Sequence, residues 1–124
     1  MPTVNVRYIV DDVDAAVAFY TTQLGFELVM HPAPTFAAVS LGGLRLYLNA
    51  PGPGGGGQSL PDGRTPEPGG WNRIQVEVDD LERRIDALRR AGVRTRSDIL
   101  HGQGGNQIIV EDPSGNPVEL FQPH

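Results

Sequence analysis

The sequence predicts an α+β fold built from one supersecondary unit used twice, and three repeats carry that prediction. Val10-Asp11-Asp12-Val13 returns 68 positions later as Val78-Asp79-Asp80-Leu81. A helical pattern follows each copy and stops at a glycine, Gly25 in the first half and Gly92 in the second. Each half then closes on a turn and an apolar strand: Gly42-Gly43-Leu44-Arg45-Leu46-Tyr47-Leu48, and Ser114-Gly115-Asn116-Pro117-Val118-Glu119-Leu120. Self-similarity at a fixed period marks a repeated structural unit. The predicted order in each half is strand, helix, strand, strand, strand. A chain of 124 residues, 39% of them hydrophobic, makes about one domain with a real core. The expected organisation is a single domain, 1–124, with module one over about 1–49, a linker over 50–70 and module two over about 71–124.

Each element has a local reason. Val4, Val6, Tyr8 and Val10 alternate with Asn5, Arg7 and Ile9, the pattern of a half-buried strand. Asp12 is a helix cap, its carboxylate accepting from free N–H groups of the first turn. Val13, Val17, Tyr20 and Leu24 then share one helical face, and Gly25 suits the left-handed stop. Residues 50–70 contain thirteen Gly or Pro among twenty-one and read as a linker. Gly54-Gly55-Gly56-Gly57 lacks the following Gly-Lys-Ser/Thr and helix of a phosphate-binding loop. The more varied stretch 60–68 is a candidate lid. In module two, Ile74, Val76 and Val78 alternate with Arg73, Gln75 and Glu77. Asp80 caps; Leu81, Ile85 and Leu88 form the apolar stripe; Gly92 ends the helix. Glu82, Arg83, Asp86, Arg89 and Arg90 read as its solvated face.

Composition narrows the function. There is no cysteine, so disulfides, zinc-thiolate centres and thiol nucleophiles are excluded. The net charge is −5, and Arg83, Arg84, Arg89, Arg90, Arg94 and Arg96 are diluted by Glu82, Asp86 and Asp98. A nucleic-acid partner is not expected. No apolar run approaches the roughly 20 residues of a membrane helix, and the start of the chain carries no secretory pattern. A cytoplasmic protein is expected, with no membrane partner.

The strand–Asp-Asp–helix with Phe19-Tyr20 and Leu24-Gly25-Phe26, together with the ending Glu111-Asp112-Pro113-Ser114-Gly115-Asn116-Pro117-Val118-Glu119-Leu120-Phe121, resembles the vicinal oxygen chelate superfamily. That superfamily includes glyoxalase I, bleomycin-resistance proteins, extradiol dioxygenases and fosfomycin-modifying enzymes. The resemblance covers nearly the whole chain. It implies paired βαβββ modules whose curved mixed sheets form a cup, with helices on the outer face, and commonly a homodimer. It also implies a divalent metal held by the first and last strands of each module.

At the positions that match the family's ligands, this sequence has Asn5, Tyr47, Arg73 and Glu119. Only Glu119 is a good ligand for a hard or borderline divalent ion. Arg73 is a fixed cation and pairs with a carboxylate instead, ideally through two parallel bonds. No metal and no other cofactor is therefore expected. His31 precedes Pro32 where a strand breaks up, His101 lies in a glycine-flanked loop and His124 ends the sequence. None has a partner histidine at ligand spacing. His101 is the one placed to overhang the cup.

If the ligand positions face the cup, residues two away face it too. The predicted lining is Asn5, Arg7, Ile9, Arg45, Tyr47, Asn49, Arg73, Gln75, Glu77, Glu119 and Phe121, with Trp71 at a rim. The opposite face holds Val4, Val6, Val10, Leu44, Leu46, Leu48, Ile74, Val76, Val78, Val118 and Leu120. Two readings of the polar set stay open. Its charges pair with one another and fill the space, Arg73 with Glu119 and Arg7 or Arg45 with Glu77. Otherwise they bind a small-molecule ligand, with Tyr47, Phe121, Trp71 and Phe36 giving flat surfaces. The first functional expectation is a metal-independent small-molecule binding protein similar to the drug-sequestering, bleomycin-resistance type. The alternatives are a metal-dependent glyoxalase-like lyase or isomerase, dioxygenase or antibiotic-modifying transferase, and a metal-free acid/base enzyme using Glu119 or Glu77.

Overall fold

The structure, a computed structural model, describes residues 2–52 and 54–124. Met1, at the head of module one, and Pro53, within the expected linker, lie outside the described residues. The chain divides into two compact units, the first running to Pro68 and the second being Gly69–His124.

In the first unit the order is β1 (Val6–Ile9), α1 (Val13–Ala18), β2 (Glu27–Ala33), β3 (Phe36–Leu41) and β4 (Leu44–Asn49). The sheet runs β1-β4-β3-β2, with β1 parallel to β4 and the other pairs antiparallel. The second unit repeats the plan with β5 (Ile74–Glu77), α2 (Leu81–Arg90), β6 (Arg94–Thr95), β7 (Leu100–His101), β8 (Gly105–Glu111) and β9 (Pro117–Pro123). Its sheet runs β5-β9-β8-β6, with β7 also on β8 and β5 parallel to β9. Both sheets are mixed, as the resemblance implies. Among the described residues no helix is long and apolar enough to cross a membrane.

The predicted helix signals act as expected. Asp12 accepts from the Ala15 N–H at 3.1 Å, and Asp80 from the Arg83 N–H at 3.2 Å. Gly25 and Gly92 stand at φ +76° and +84°, where a side chain would be strained. Leu81, Ile85 and Leu88 of the second stripe are buried, as are Val13, Tyr20 and Leu24 of the first, with Val17 half-buried; α1 lies against β3 and β4 while α2 lies against β9. Tyr20, Leu24, Leu46, Leu48 and Val39 are all essentially inaccessible, each worth about 1.5–3 kcal/mol if fully buried.

Four expectations are corrected. First, α1 does not stay α-helical to Gly25: Phe19–Gln23 is a π turn. Phe19 and Tyr20 are both buried there, and Tyr20 meets Tyr8, Phe19 and Phe26 edge to face. Secondly, β1 starts at Val6, so Asn5 lies ahead of it and Val4 is 81% exposed rather than packed. Pairing to β4 begins only at Val6–Leu46, which leaves both residues beyond the ladder. Thirdly, the second strand of module two is two short pieces, β6 and β7, so that unit has five strands and His101 sits in one of them. Arg89 reaches Thr95, Ser97 and Asp98 across the break. Fourthly, the glycine run contains a 3₁₀ turn, Gly55–Gly57, closed by Gly52 N–H donating to Gly57 C=O. Further on, Leu60 and Arg64 close a reverse turn, braced by Ser59 and Thr65 hydroxyls at 2.7 Å.

Candidate functional site

The strand registers decide which side chains share a face. In the first unit Arg7 stands beside Tyr47, Tyr47 beside Ala38, and Ile9 beside Asn49. Arg45 stands beside Ser40, and Asn49 beside Phe36. The predicted polar set Arg7, Ile9, Arg45, Tyr47 and Asn49 is therefore brought together on one sheet face. Asn5 lies before β1 and is exposed.

This face is organised around Tyr47. Phe36 meets it edge to face at 5.4 Å, and the Arg7 guanidinium lies 5.5 Å from its ring centroid, within cation–π range. The Gly55–Gly57 turn folds onto the same end of the sheet. A Cβ on Gly56 would strike the Arg7 guanidinium, and one on Gly55 would lie 3.8 Å from Asn49 Nδ2. Asn49 is 4% exposed, and its Oδ1 is buried without a hydrogen-bond partner. Such a group is rare and costly in a folded protein. Arg7 and Arg45 have no ion pair among the described residues.

In the second unit Gln75 stands beside Glu119 and Glu77 beside Phe121, with Gln107 and Ile109 continuing the face on β8. The expected Arg73–Glu119 pair forms, with a different geometry from the parallel fork. Arg73 Nε and Nη2 both donate to Glu119 Oε1, at 3.0 and 2.7 Å, while Gln75 Nε2 donates to Oε2 at 2.6 Å. Arg73 Nη1 donates to the Trp71 carbonyl. The Glu119 side chain is 8% exposed and that of Arg73 27%. Glu119 thus holds three N–H groups, and its charge is neutralised where it stands. Glu77 is exposed and has no ion pair among the described residues.

Trp71 is 69% exposed, and its ring lies 4.7 Å from Arg96 Cζ. Arg96 holds Glu111 at 3.0 Å, the Gly70 carbonyl at 2.7 Å and the Gly115 carbonyl at 3.1 Å. It anchors the entry to β5, a role that arises only when β6 is brought beside it. Gly105 is likewise invisible in sequence: a Cβ there would lie 2.7 Å from the Phe121 ring. His101 lines a recess of about 230 Å³ with Gln107 and Phe121, and its Nδ1 meets Asn106 Oδ1 at 3.0 Å. The alternation that selected the other strands, applied to β8, places Gln107 and Glu111 on the polar face.

The closing motif is structural. Asp112 Oδ1 accepts from the N–H groups of Ser114 and Asn116, both at 2.9 Å, and Oδ2 from Asn116 Nδ2 at 3.0 Å. Asn116 Oδ1 in turn accepts from Gly69 N–H. This carboxylate-centred turn sets where β9 begins, and so where Glu119 lies.

A divalent metal does not suit these donors. Tyr47 and the exposed Asn5 offer a phenol and an amide, and Arg73–Glu119 is already an ion pair. His31 meets Asp14 at 3.4 Å and His124 the Gly102 carbonyl at 2.9 Å. Among the described residues no three His, Cys, Asp or Glu side chains gather where a metal could be held.

Comparison with known proteins places this geometry. The family model of the glyoxalase/bleomycin resistance protein/dioxygenase superfamily matches residues 4–120. The chain belongs to that superfamily. A superfamily member of known structure from Sphaerobacter thermophilus is 26% identical, with a TM-score of 0.76 over 98% of this chain and 97% of the other. TnmS3, an antibiotic binding protein from Streptomyces sp. CB03234, is 24% identical, with a TM-score of 0.72 over 100% and 99% of the two chains. The fosfomycin resistance protein FosX from Listeria monocytogenes is 16% identical, with a TM-score of 0.71 over 100% and 92%. The latter two share the superfamily fold with this chain. No curated protein matches it.

Proposed function

We propose that the protein binds a small polar, aromatic molecule without a metal and without turnover, on the polar sheet face that carries Tyr47. One observation carries this reading: Glu119, the only strong ligand at the four superfamily positions, has both oxygens occupied by Arg73 and Gln75. The aromatic and amide groups around Tyr47 supply flat area and hydrogen bonds, the usual makings of a ligand site. The fold supports such a role in that TnmS3, named as an antibiotic binding protein, also adopts it. The reading includes a cytoplasmic homodimer. Edge strand β2 exposes Leu28, Val29 and Met30 at 52%, 41% and 39%, more apolar surface than an unpaired edge ordinarily shows.

Metal titration tests the central point. A site with micromolar affinity, given 1 mM ion, would stabilise the fold by about 4 kcal/mol. Thermal unfolding in 1 mM manganese, nickel or zinc is expected to match unfolding without added ion. Stabilisation by any of these ions would refute the metal-free reading and favour a lyase or dioxygenase.

A second reading rests on Glu77. It is exposed, unpaired among the described residues and beside Phe121, so a substrate seated on that ring would meet a free carboxylate able to act as general base. Turnover lost in Glu77→Gln with ligand binding intact would establish it.

A further inference from the structure

We infer that the ligand is an aromatic anion, and that its charged group is taken by Arg7, with Arg45 beside it, rather than by Arg73. This rests on the binding function proposed above and specifies it. Three arginines were candidates from sequence, and the structure separates them. Arg73 is neutralised by Glu119 and tied to the Trp71 carbonyl. Arg7 and Arg45 share a face of the first unit's sheet, with Tyr47 next to Arg7 and two residues from Arg45. Neither has a hydrogen bond or ion pair among the described residues, so their guanidinium N–H groups are available to an incoming acceptor.

Arg7 lies against its neighbours: its guanidinium is 5.5 Å from the Tyr47 ring centroid and beside the Gly55–Gly57 turn, where a Cβ at position 56 would push it aside. A guanidinium stacked near an aromatic ring and left without an acceptor can take an anion through charge-assisted hydrogen bonds. Asn49 is the second, independent sign of a ligand. Its Oδ1 is buried and unpartnered at the edge of the same cluster, so a ligand N–H or O–H reaching it would satisfy a group the protein leaves unpaired. The predicted ligand therefore carries an aromatic ring, a carboxylate, sulfonate or phenolate, and a hydrogen-bond donor.

A matched pair of fluorescent probes tests this on the full chain: 1-anilinonaphthalene-8-sulfonate and N-phenyl-1-naphthylamine, which differ by the sulfonate alone. The sulfonate is expected to bind about tenfold or more tighter, the effect of one charge-assisted contact. Arg7→Gln should remove that advantage and leave the neutral probe unchanged. Gly56→Ala, checked for an unaltered circular dichroism spectrum, should weaken the sulfonate in the same direction by displacing Arg7. Arg90→Gln, on the outer face of α2, should change neither probe. Equal binding of the two probes, indifference to Arg7→Gln, or an equal loss in Arg90→Gln would overturn the anion assignment and leave the binding function standing. Failure of both probes to bind would overturn the two together.

Discussion

Removing either charge of the Arg73–Glu119 pair breaks the same ion pair, yet the costs should differ. In Arg73→Met, Glu119 Oε1 loses both donors while its side chain stays 8% exposed, and only Gln75 remains on Oε2. A stranded buried charge typically costs 3–5 kcal/mol. Water entering where Arg73 was 27% exposed places this case at the low end, about 3 kcal/mol. In Glu119→Gln the group left behind is a guanidinium that already reaches solvent and keeps its bond to the Trp71 carbonyl. An amide oxygen can still accept one of its N–H groups, so the cost should be about 1–1.5 kcal/mol, one charge-assisted bond reduced to a neutral one. The double variant strands no charge. It should therefore be more stable than Arg73→Met alone by about 1 kcal/mol or more, a recovery of the kind a double-mutant cycle isolates. Urea unfolding at pH 7 of the four proteins measures all three values. If Glu119→Gln costs as much as Arg73→Met, or the double variant is the least stable, the carboxylate is not held as described.

Three further outcomes follow from the same geometry. Asp112→Ala removes an acceptor for three N–H groups and should cost about 3 kcal/mol in urea unfolding, less than three independent charged bonds because they act as one unit; a loss below about 1 kcal/mol, the size of one ordinary hydrogen bond, would show that the turn does not depend on this carboxylate. Gly105→Ala forces a methyl toward the Phe121 ring and the β9 backbone and should cost about 1–3 kcal/mol by overpacking, measured by thermal unfolding; a neutral result would mean that the β8–β9 approach is looser than found. Met30→Lys on the exposed edge strand should convert a dimer to monomer in light scattering and change chain stability by only about 0.5 kcal/mol. A wild-type monomer, or a variant that stays dimeric, would remove β2 from the proposed interface.

Much of the fold is legible in the sequence. The two Asp caps, the two glycine stops and the period-2 strands are local signals, each acting through neighbours within about one turn or one strand pair. The polar faces followed from alternation alone, because a strand puts every second side chain on the same side. Errors fell where alternation or helical period meets a tertiary limit. Asn5 and Val4 obey the pattern of β1 but precede its first pair with β4, Val6–Leu46, although β4 itself begins at Leu44. Helical period predicted an unbroken α-helix to Gly25, whereas Phe19–Gln23, with Phe19 and Tyr20 buried, is a π turn.

The sequence by itself determined the doubled βαβββ plan, the aliphatic and polar faces and the poor fit of the four superfamily positions to a metal, since these follow from residue type and spacing. Only the tertiary structure decided which charges are already matched. Arg73 and Glu119 are 46 residues apart, and nothing in their spacing shows that Gln75 takes the second carboxylate oxygen. Arg7 and Arg96 look alike in sequence. Packing gives Arg96 a carboxylate, two carbonyls and an indole, and gives Arg7 an aromatic ring and a glycine turn with no acceptor among the described residues. A guanidinium's role depends on whether its N–H groups find acceptors, and long-range packing alone brings acceptors within reach.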